Sequence, residues 1–204
     1  MSFEELQKEN DELKSELQFM RKGKEELLNL IELLRKENEM LKSQAERDSL
    51  TGLLNRRGMR LKLNKMGQIA YSVVMCDIDN FKSVNDNFGH PEGDHAIQMV
   101  GEILESLMRS EDYVGRFGGD EFLILLGGCD AEDAKKKCEL IQRIIEMKRL
   151  QHEIEVPLTL SFGISHCEPG MKYEEAREQA DKALYYSKTN GKDSITVYGN
   201  GRVK

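Results

Sequence analysis

Leucine or methionine recurs every seven residues at positions 6, 13, 20, 27, 34 and 41. With these as heptad position d, position a holds Phe3, Asn10, Leu17, Lys24, Ile31, Asn38 and Ala45. The first 47 residues contain no proline and one glycine, Gly23. The period therefore predicts a coiled-coil helix over 1–47. A solvated helix packed on its own domain is the alternative, and six consecutive apolar d positions weigh against it. Asparagine at a costs stability but favours two parallel strands in register. Glu9, Glu16 and Glu37 at g stand five residues before Lys14, Arg21 and Lys42 at e. Parallel pairing thus opposes acid to base, whereas antiparallel pairing opposes like charges. Each pair contributes only about 0.2–1 kcal/mol, so the charges choose orientation more than they stabilise.

From Asp48 the heptad stops, and residues 48–204 read as a separate domain. The stretch 48–57, with Gly52 and Asn55, reads as a linker running into a basic helix start. Residues 70–78 form a continuous β-rich apolar run. Residues 93–109 carry a helical stripe of Ile97, Val100, Ile103, Leu104 and Leu107. Short strands at 113–117 and 121–126 flank a Gly-Gly-Asp turn and predict a hairpin. A helix at 131–148, a strand at 157–164, a helix at 173–188 and a strand near 194–198 follow. This order predicts an α+β fold, a mixed or antiparallel central sheet with surrounding helices.

Composition narrows the function. A net charge of −7 argues against a broad nucleic-acid surface but leaves room for a small phosphate site. Cys76, Cys129, Cys138 and Cys167 show neither paired metal spacing nor C-x-x-C, the pattern of reduced thiols in a cytoplasmic protein. No apolar run approaches the roughly 18 residues of a membrane span, and the acidic N-terminus is unlike a signal peptide. A membrane or upstream sensor segment would lie outside this chain.

Two acidic clusters end predicted strands: Asp77-Ile78-Asp79 and Asp120-Glu121. Carboxylates on rigid strand ends offer the hard oxygen ligands that Mg²⁺ takes. Either cluster alone could equally be an exposed turn.

The segment Arg116-Phe117-Gly118-Gly119-Asp120-Glu121-Phe122 resembles the signature of the GGDEF family of diguanylate cyclases. Other segments fit the same family in order. They are Asp48-Ser49-Leu50-Thr51-Gly52-Leu53 with Asn55-Arg56-Arg57, Asp77-Ile78-Asp79-Asn80-Phe81-Lys82, and Asn85-Asp86-Asn87-Phe88-Gly89-His90 with Gly93-Asp94. Thr159-Leu160-Ser161-Phe162-Gly163-Ile164-Ser165 and Ala183-Leu184-Tyr185-Tyr186-Ser187-Lys188 with Asn190-Gly191-Lys192 complete the set. The likeness spans about residues 48–199 and implies a nucleotide-cyclase, palm-like fold.

The resemblance implies condensation of two GTP into cyclic di-GMP with release of two pyrophosphates, at the interface of a homodimer joined by the coiled coil. Asp77, Asp120 and the Ile78 carbonyl would bind magnesium, two ions per half-site, with manganese as a substitute. Glu121 would support the metals or help deprotonate the attacking hydroxyl, and Lys82 would offset charge on the phosphates. The Phe81 region, Lys188 and Lys192 would hold the β- and γ-phosphates, the lysines reaching in from the C-terminal helix. Family members often carry arginine at the Lys192 position; lysine keeps the charge but not the bidentate geometry. Asn85 and Asp94 would recognise guanine, since a carboxylate accepts from N1–H and the exocyclic amine. Asp94 could instead cap a helix, and Asn85 could be a turn residue. His90 is placed in the same loop near the nucleotide, with a loop hydrogen bond as the alternative. Tyr185 and Tyr186 read as packing residues.

Arg109-Ser110-Glu111-Asp112 matches the family's R-x-x-D inhibitory site for the product, cyclic di-GMP. A surface Arg–Asp pair at a helix end is the alternative. The further arginine that the family supplies has no counterpart in 131–140, where Lys135, Lys136 and Lys137 stand instead. Competing readings are a catalytically silent GGDEF module serving as a nucleotide or cyclic di-GMP receptor, a coiled-coil adaptor, and an adenylyl-cyclase-like enzyme. Intact hairpin acids and Asp94 weigh against the first and last of these.

Overall fold

The computed structural model describes residues 3–66, 69–151, 156–199 and 202–203, in two compact units, 1–44 and 45–204. The first unit is most of helix α1, Phe3–Glu46. Residues 1–2 of the predicted coil lie outside the described ones. Leu6, Leu13, Met20, Leu27, Leu34 and Leu41 are all exposed in the single chain, from 47% at Leu6 to 64% at Met20.

The second unit runs α2 (Arg56–Met66), β1 (Tyr71–Ile78), α3 (Phe81–Phe88), α4 (His90–Ser106), β2 (Tyr113–Arg116) and β3 (Glu121–Gly127). It continues with α5 (Ala131–Leu150), β4 (Leu160–Cys167), α6 (Tyr173–Thr189), β5 (Ile195–Gly199) and β6 (Arg202–Val203). The strands form one sheet in the order β2-β3-β1-β4-β5-β6. Strands β1–β3, β1–β4, β2–β3 and β5–β6 pair antiparallel, and β4–β5 pair parallel. This is the α+β architecture with a mixed sheet that the order of elements predicts.

Strand β1 is buried along its whole length, which explains why it reads as a run rather than an alternation. Val74, Cys76 and Ile78 face one core with Ile97, Val100 and Leu104 of α4 and Cys138 and Ile141 of α5. Tyr71, Val73 and Met75 face the other with Met59 of α2 and Ala180 and Leu184 of α6. Helix α6 sits so close on β4 that a Cβ at Gly163 would stand 2.1 Å from the Ala180 carbonyl oxygen. That contact sets the distance of α6, and of Lys188 in its last turn, from the sheet.

Several boundaries differ from the sequence reading. Helix α4 starts at His90 rather than 93, with Pro91 in its first turn, where a missing N–H costs nothing. Strand β4 begins at Leu160 rather than 157; Pro157 has no N–H for a ladder, and Leu158 packs in the core without joining the sheet. Helix α3, which the sequence reading left undescribed, is eight residues long with Val84 as its buried residue. Its apolar stripe, Phe81, Val84 and Phe88, is only two turns long.

Candidate active site

The antiparallel pairing of β1 with β3 brings the two acidic clusters together. Asp77 lies in register with Glu121, and the Ile78 N–H donates to the Asp120 carbonyl at 3.2 Å. Asp77 is 3% exposed. Its Oδ1 is fully buried and pairs with the Lys188 ammonium at 2.5 Å. Burial pushes the Asp77 carboxyl up to about 6, against the pull of Lys188 and with the further push of the Asp120 charge. The net rise, despite the Lys188 ammonium, means that a desolvated carboxylate beside a second acid still favours added positive charge.

The hairpin turn is held from the domain's N-terminal end. Arg116 donates from Nε and Nη2 to the Gly119 carbonyl at 3.0 and 2.8 Å and pairs through Nη1 with Asp48 at 3.1 Å. Burial raises the Asp48 carboxyl, but hydrogen bonds from Thr51 and the Arg116 guanidinium outweigh it and hold the group below its usual range. Arg56 donates to the Phe117 carbonyl and lies 4.4 Å over the Phe117 ring. The Glu121 carboxylate folds back over Gly118.

Beyond β1, Asn80 takes a left-handed conformation (φ 55°) at the N-cap of α3. The first turn of α3 presents backbone N–H groups and the positive end of a helix dipole, a setting suited to phosphate. Lys82 is exposed on that turn, and Lys192 Nζ donates to Asn80 Oδ1 at 2.5 Å. Lys188 belongs to α6 as the sequence reading has it, but Lys192 lies in the turn after α6, which ends at Thr189.

Helices α3 and α4 approach until a Cβ at Gly93 would stand 2.0 Å from Asn85 Oδ1 and 3.2 Å from the Phe81 ring. Phe81 and Asn85 therefore meet next to Asp94, which is exposed. Asp94 is the fifth residue of α4, so the capping reading fails; Asn85 lies within α3, so it is not a turn residue either. His90 is the exposed first residue of α4. Tyr185 is 71% exposed and Tyr186 half-exposed, so neither packs as expected; Ala183 and Leu184 take the buried face of α6.

Arg109 and Asp112 lie apart from this cluster and do not form the surface pair. Asp112 is 7% exposed, accepts from the backbone N–H of Arg109 at 3.0 Å and of Gly127 at 3.3 Å, and pairs with Lys137 at 2.5 Å. Exposed Arg109 shares a cavity of about 480 Å³ with Lys136, Lys137 and Cys129. Lys137, on α5, is thus a member of this second site that the sequence reading did not assign. Its signal was the lysine run 135–137, which does not say which member faces Asp112.

Among the described residues no three His, Cys, Asp or Glu side chains are grouped to hold a metal, and no helix is long and apolar enough to cross a membrane. Magnesium usually takes one or two carboxylates and completes its shell with water and substrate phosphate. Asp77, whose carboxyl burial pushes up beside the Asp120 charge, and adjacent Asp120 fit that demand.

Residues 45–194 match the family model described as diguanylate cyclase, GGDEF domain. The chain is 36% identical over 137 residues to diguanylate cyclase A of Treponema denticola, covering 65% of this chain and 36% of that protein. It is 34% identical over 164 residues to probable diguanylate cyclase DgcC of Escherichia coli, covering 77% and 44%. The chain therefore spans between about a third and a half of these relatives. Among solved structures it is similar to the coiled coil and GGDEF domain of DgcB from Caulobacter crescentus, in complex with c-di-GMP. The TM-score is 0.75 at 28% identity, covering 82% of this chain and 93% of that one. It is also similar to the diguanylate cyclase SiaD of Pseudomonas aeruginosa in complex with its activator SiaC, with a TM-score of 0.70 at 29% identity, covering 95% and 77%.

Proposed function

The chain belongs to the GGDEF-domain diguanylate cyclase family, and on that footing we propose that it condenses two GTP molecules into cyclic di-GMP, each domain of a homodimer holding one GTP. The observation that carries the proposal is the β1–β3 register that sets buried Asp77 beside the hairpin acids Asp120 and Glu121. Asp77, Asp120 and the Ile78 carbonyl would hold magnesium. Bound there, the metal supplies positive charge that lowers the pKa of the 3′-hydroxyl and steadies the leaving pyrophosphate.

The chain's own residues do the rest. Guanine is held by Asn85 and exposed Asp94, on the packed pair α3 and α4. The α3 N-terminus and Lys192 take the terminal phosphates; Phe81, packed against Gly93, braces that turn. Lys188, in the last turn of α6 and paired with Asp77, would offer its ammonium to the phosphates. Lys82 offsets charge that builds on the α-phosphate as the partner's 3′-oxygen attacks and the bond to pyrophosphate breaks. Glu121, at the hairpin tip, is placed to accept the hydroxyl proton, and His90 stands at the rim of the nucleotide site.

One domain holds only one nucleotide, so the reaction needs a second copy. The heptad stripe of α1 supports a parallel coiled coil that raises the local concentration of the second half-site to roughly millimolar. The Arg109, Asp112 and Lys137 cavity would bind the product and report its concentration back. Mass analysis of products after incubation with GTP and Mg²⁺ tests the reading. Cyclic di-GMP is expected; GTP bound but unchanged would favour the receptor reading instead.

A further inference from the structure

Asn80, Lys192 and Asp193 are the non-glycine residues with positive φ among those described, at 55°, 64° and 43°. Asn80 follows Asp79 in the chain, and the Asp193 N–H bonds the Asp79 carboxylate. Left-handed backbone is costly for Lys192, whereas Asn and Asp tolerate it better, and it persists at Lys192 only where the surroundings over-determine it. The Lys192 N–H donates to the Ser187 carbonyl at 3.0 Å, and Asp79 fixes the turn from its other side. Asp79 is 1% exposed and accepts from Ser161 Oγ at 2.7 Å, Thr159 Oγ1 at 2.9 Å and the Asp193 N–H at 2.9 Å. Its own N–H donates to the Thr159 carbonyl at 2.9 Å. A buried carboxylate meeting three donors is a charge-assisted knot, and it ties the end of β1, the approach to β4 and the turn after α6 into one unit.

That turn carries Lys192, whose ammonium reaches back to Asn80 Oδ1, at the N-cap of α3. Asp79 itself is too buried for a nucleotide to touch.

We propose that Asp79 is a positioning residue for the triphosphate edge of the site: it holds the left-handed Lys192–Asp193 turn against the end of β1 and so keeps the Lys192 ammonium at the α3 N-terminus. The inference rests on the GTP-binding reading above. Without the knot, the turn relaxes to right-handed or extended backbone, and Lys192 leaves the phosphate edge while the sheet stays intact.

A purely structural Asp79 would weaken the protein without singling out Lys192, so the test is a double-mutant cycle on GTP binding in Mg²⁺ with the full chain. Asp79→Ala and Lys192→Ala should each weaken binding about tenfold, the scale of one lost charged hydrogen bond. The double variant should also lose about tenfold, because both remove the same contact. Asp79→Asn keeps an oxygen for the Asp193 N–H and should stay within about threefold of wild type. Cyclic di-GMP binding at the Arg109 and Lys137 cavity should be unchanged throughout. If Asp79→Ala does not fold, Asp79→Ser, which keeps a buried hydroxyl but falls short of the Asp193 N–H, replaces it in the cycle. A double variant weakened by the product of the two single effects overturns the inference, as does an alanine variant that binds GTP like wild type. A wild-type chain that does not bind GTP overturns the GTP reading itself, and this inference with it.

Discussion

Replacing Asp77 with asparagine should stabilise the metal-free protein at alkaline pH while abolishing its activity. Burial, ahead of the opposing Lys188 ammonium and the Asp120 charge, raises the carboxyl from 3.8 to about 6. An acid whose folded pKa is raised binds more protons folded than unfolded. Stability is therefore lost as pH rises through the window between the two values. At pH 8 the ionised Asp77 costs the fold about 3 kcal/mol, and at pH 5 roughly half of that. Asparagine does not titrate. The stability advantage of Asp77→Asn should therefore widen by about 1 kcal/mol from pH 5 to pH 8. Urea denaturation in EDTA, at both pH values and one fixed protein concentration, reads this difference directly. Magnesium should add stability to the wild type at pH 8 and little to the variant. An advantage that stays constant or shrinks with rising pH would refute the reasoning that Asp77 is a desolvated carboxylate short of a cation.

Three further outcomes are expected. Leu27→Glu with Leu34→Glu should dissociate the dimer and make specific activity fall steeply on dilution, with GTP binding nearly unchanged; sedimentation and dilution series check both. Asp94→Asn should cost GTP about tenfold in kcat/KM and narrow its preference over ATP, since the amide no longer accepts from both guanine donors; competition between the two nucleotides measures it. Lys137→Ala should leave Asp112 buried without its cation, lowering stability by about 2 kcal/mol and weakening cyclic di-GMP binding; thermal denaturation and calorimetric titration separate the two effects.

What the sequence shows and what it hides follow from locality. The heptads of α1 and the run of β1 are local patterns, and both emerge in the structure as elements of the expected type. Helix α3 is hard to read because its stripe of Phe81, Val84 and Phe88 spans only two turns. At the start of α4, Gly93-Asp94 resembles a cap, but Pro91 marks the true first turn. Tyr185 and Tyr186 are exposed because the apolar face of α6 ends at Leu184. Asp77 and the hairpin acids could be nominated from composition, but their adjacency depends on strand pairing across more than forty residues. The roles of Asp79 and Lys137 depend on contacts with residues far away in the chain, Thr159, Ser161 and Asp193 for one and Asp112 for the other. No window of sequence contains them.

The central claim is that two half-sites of this chain join two GTP molecules. The most direct measurement quantifies both products in one reaction of the purified full chain with GTP and Mg²⁺. The account predicts two pyrophosphates released for each cyclic di-GMP formed, with both lost in Asp77→Asn. Pyrophosphate without cyclic di-GMP, or bound GTP that is never consumed, would contradict it.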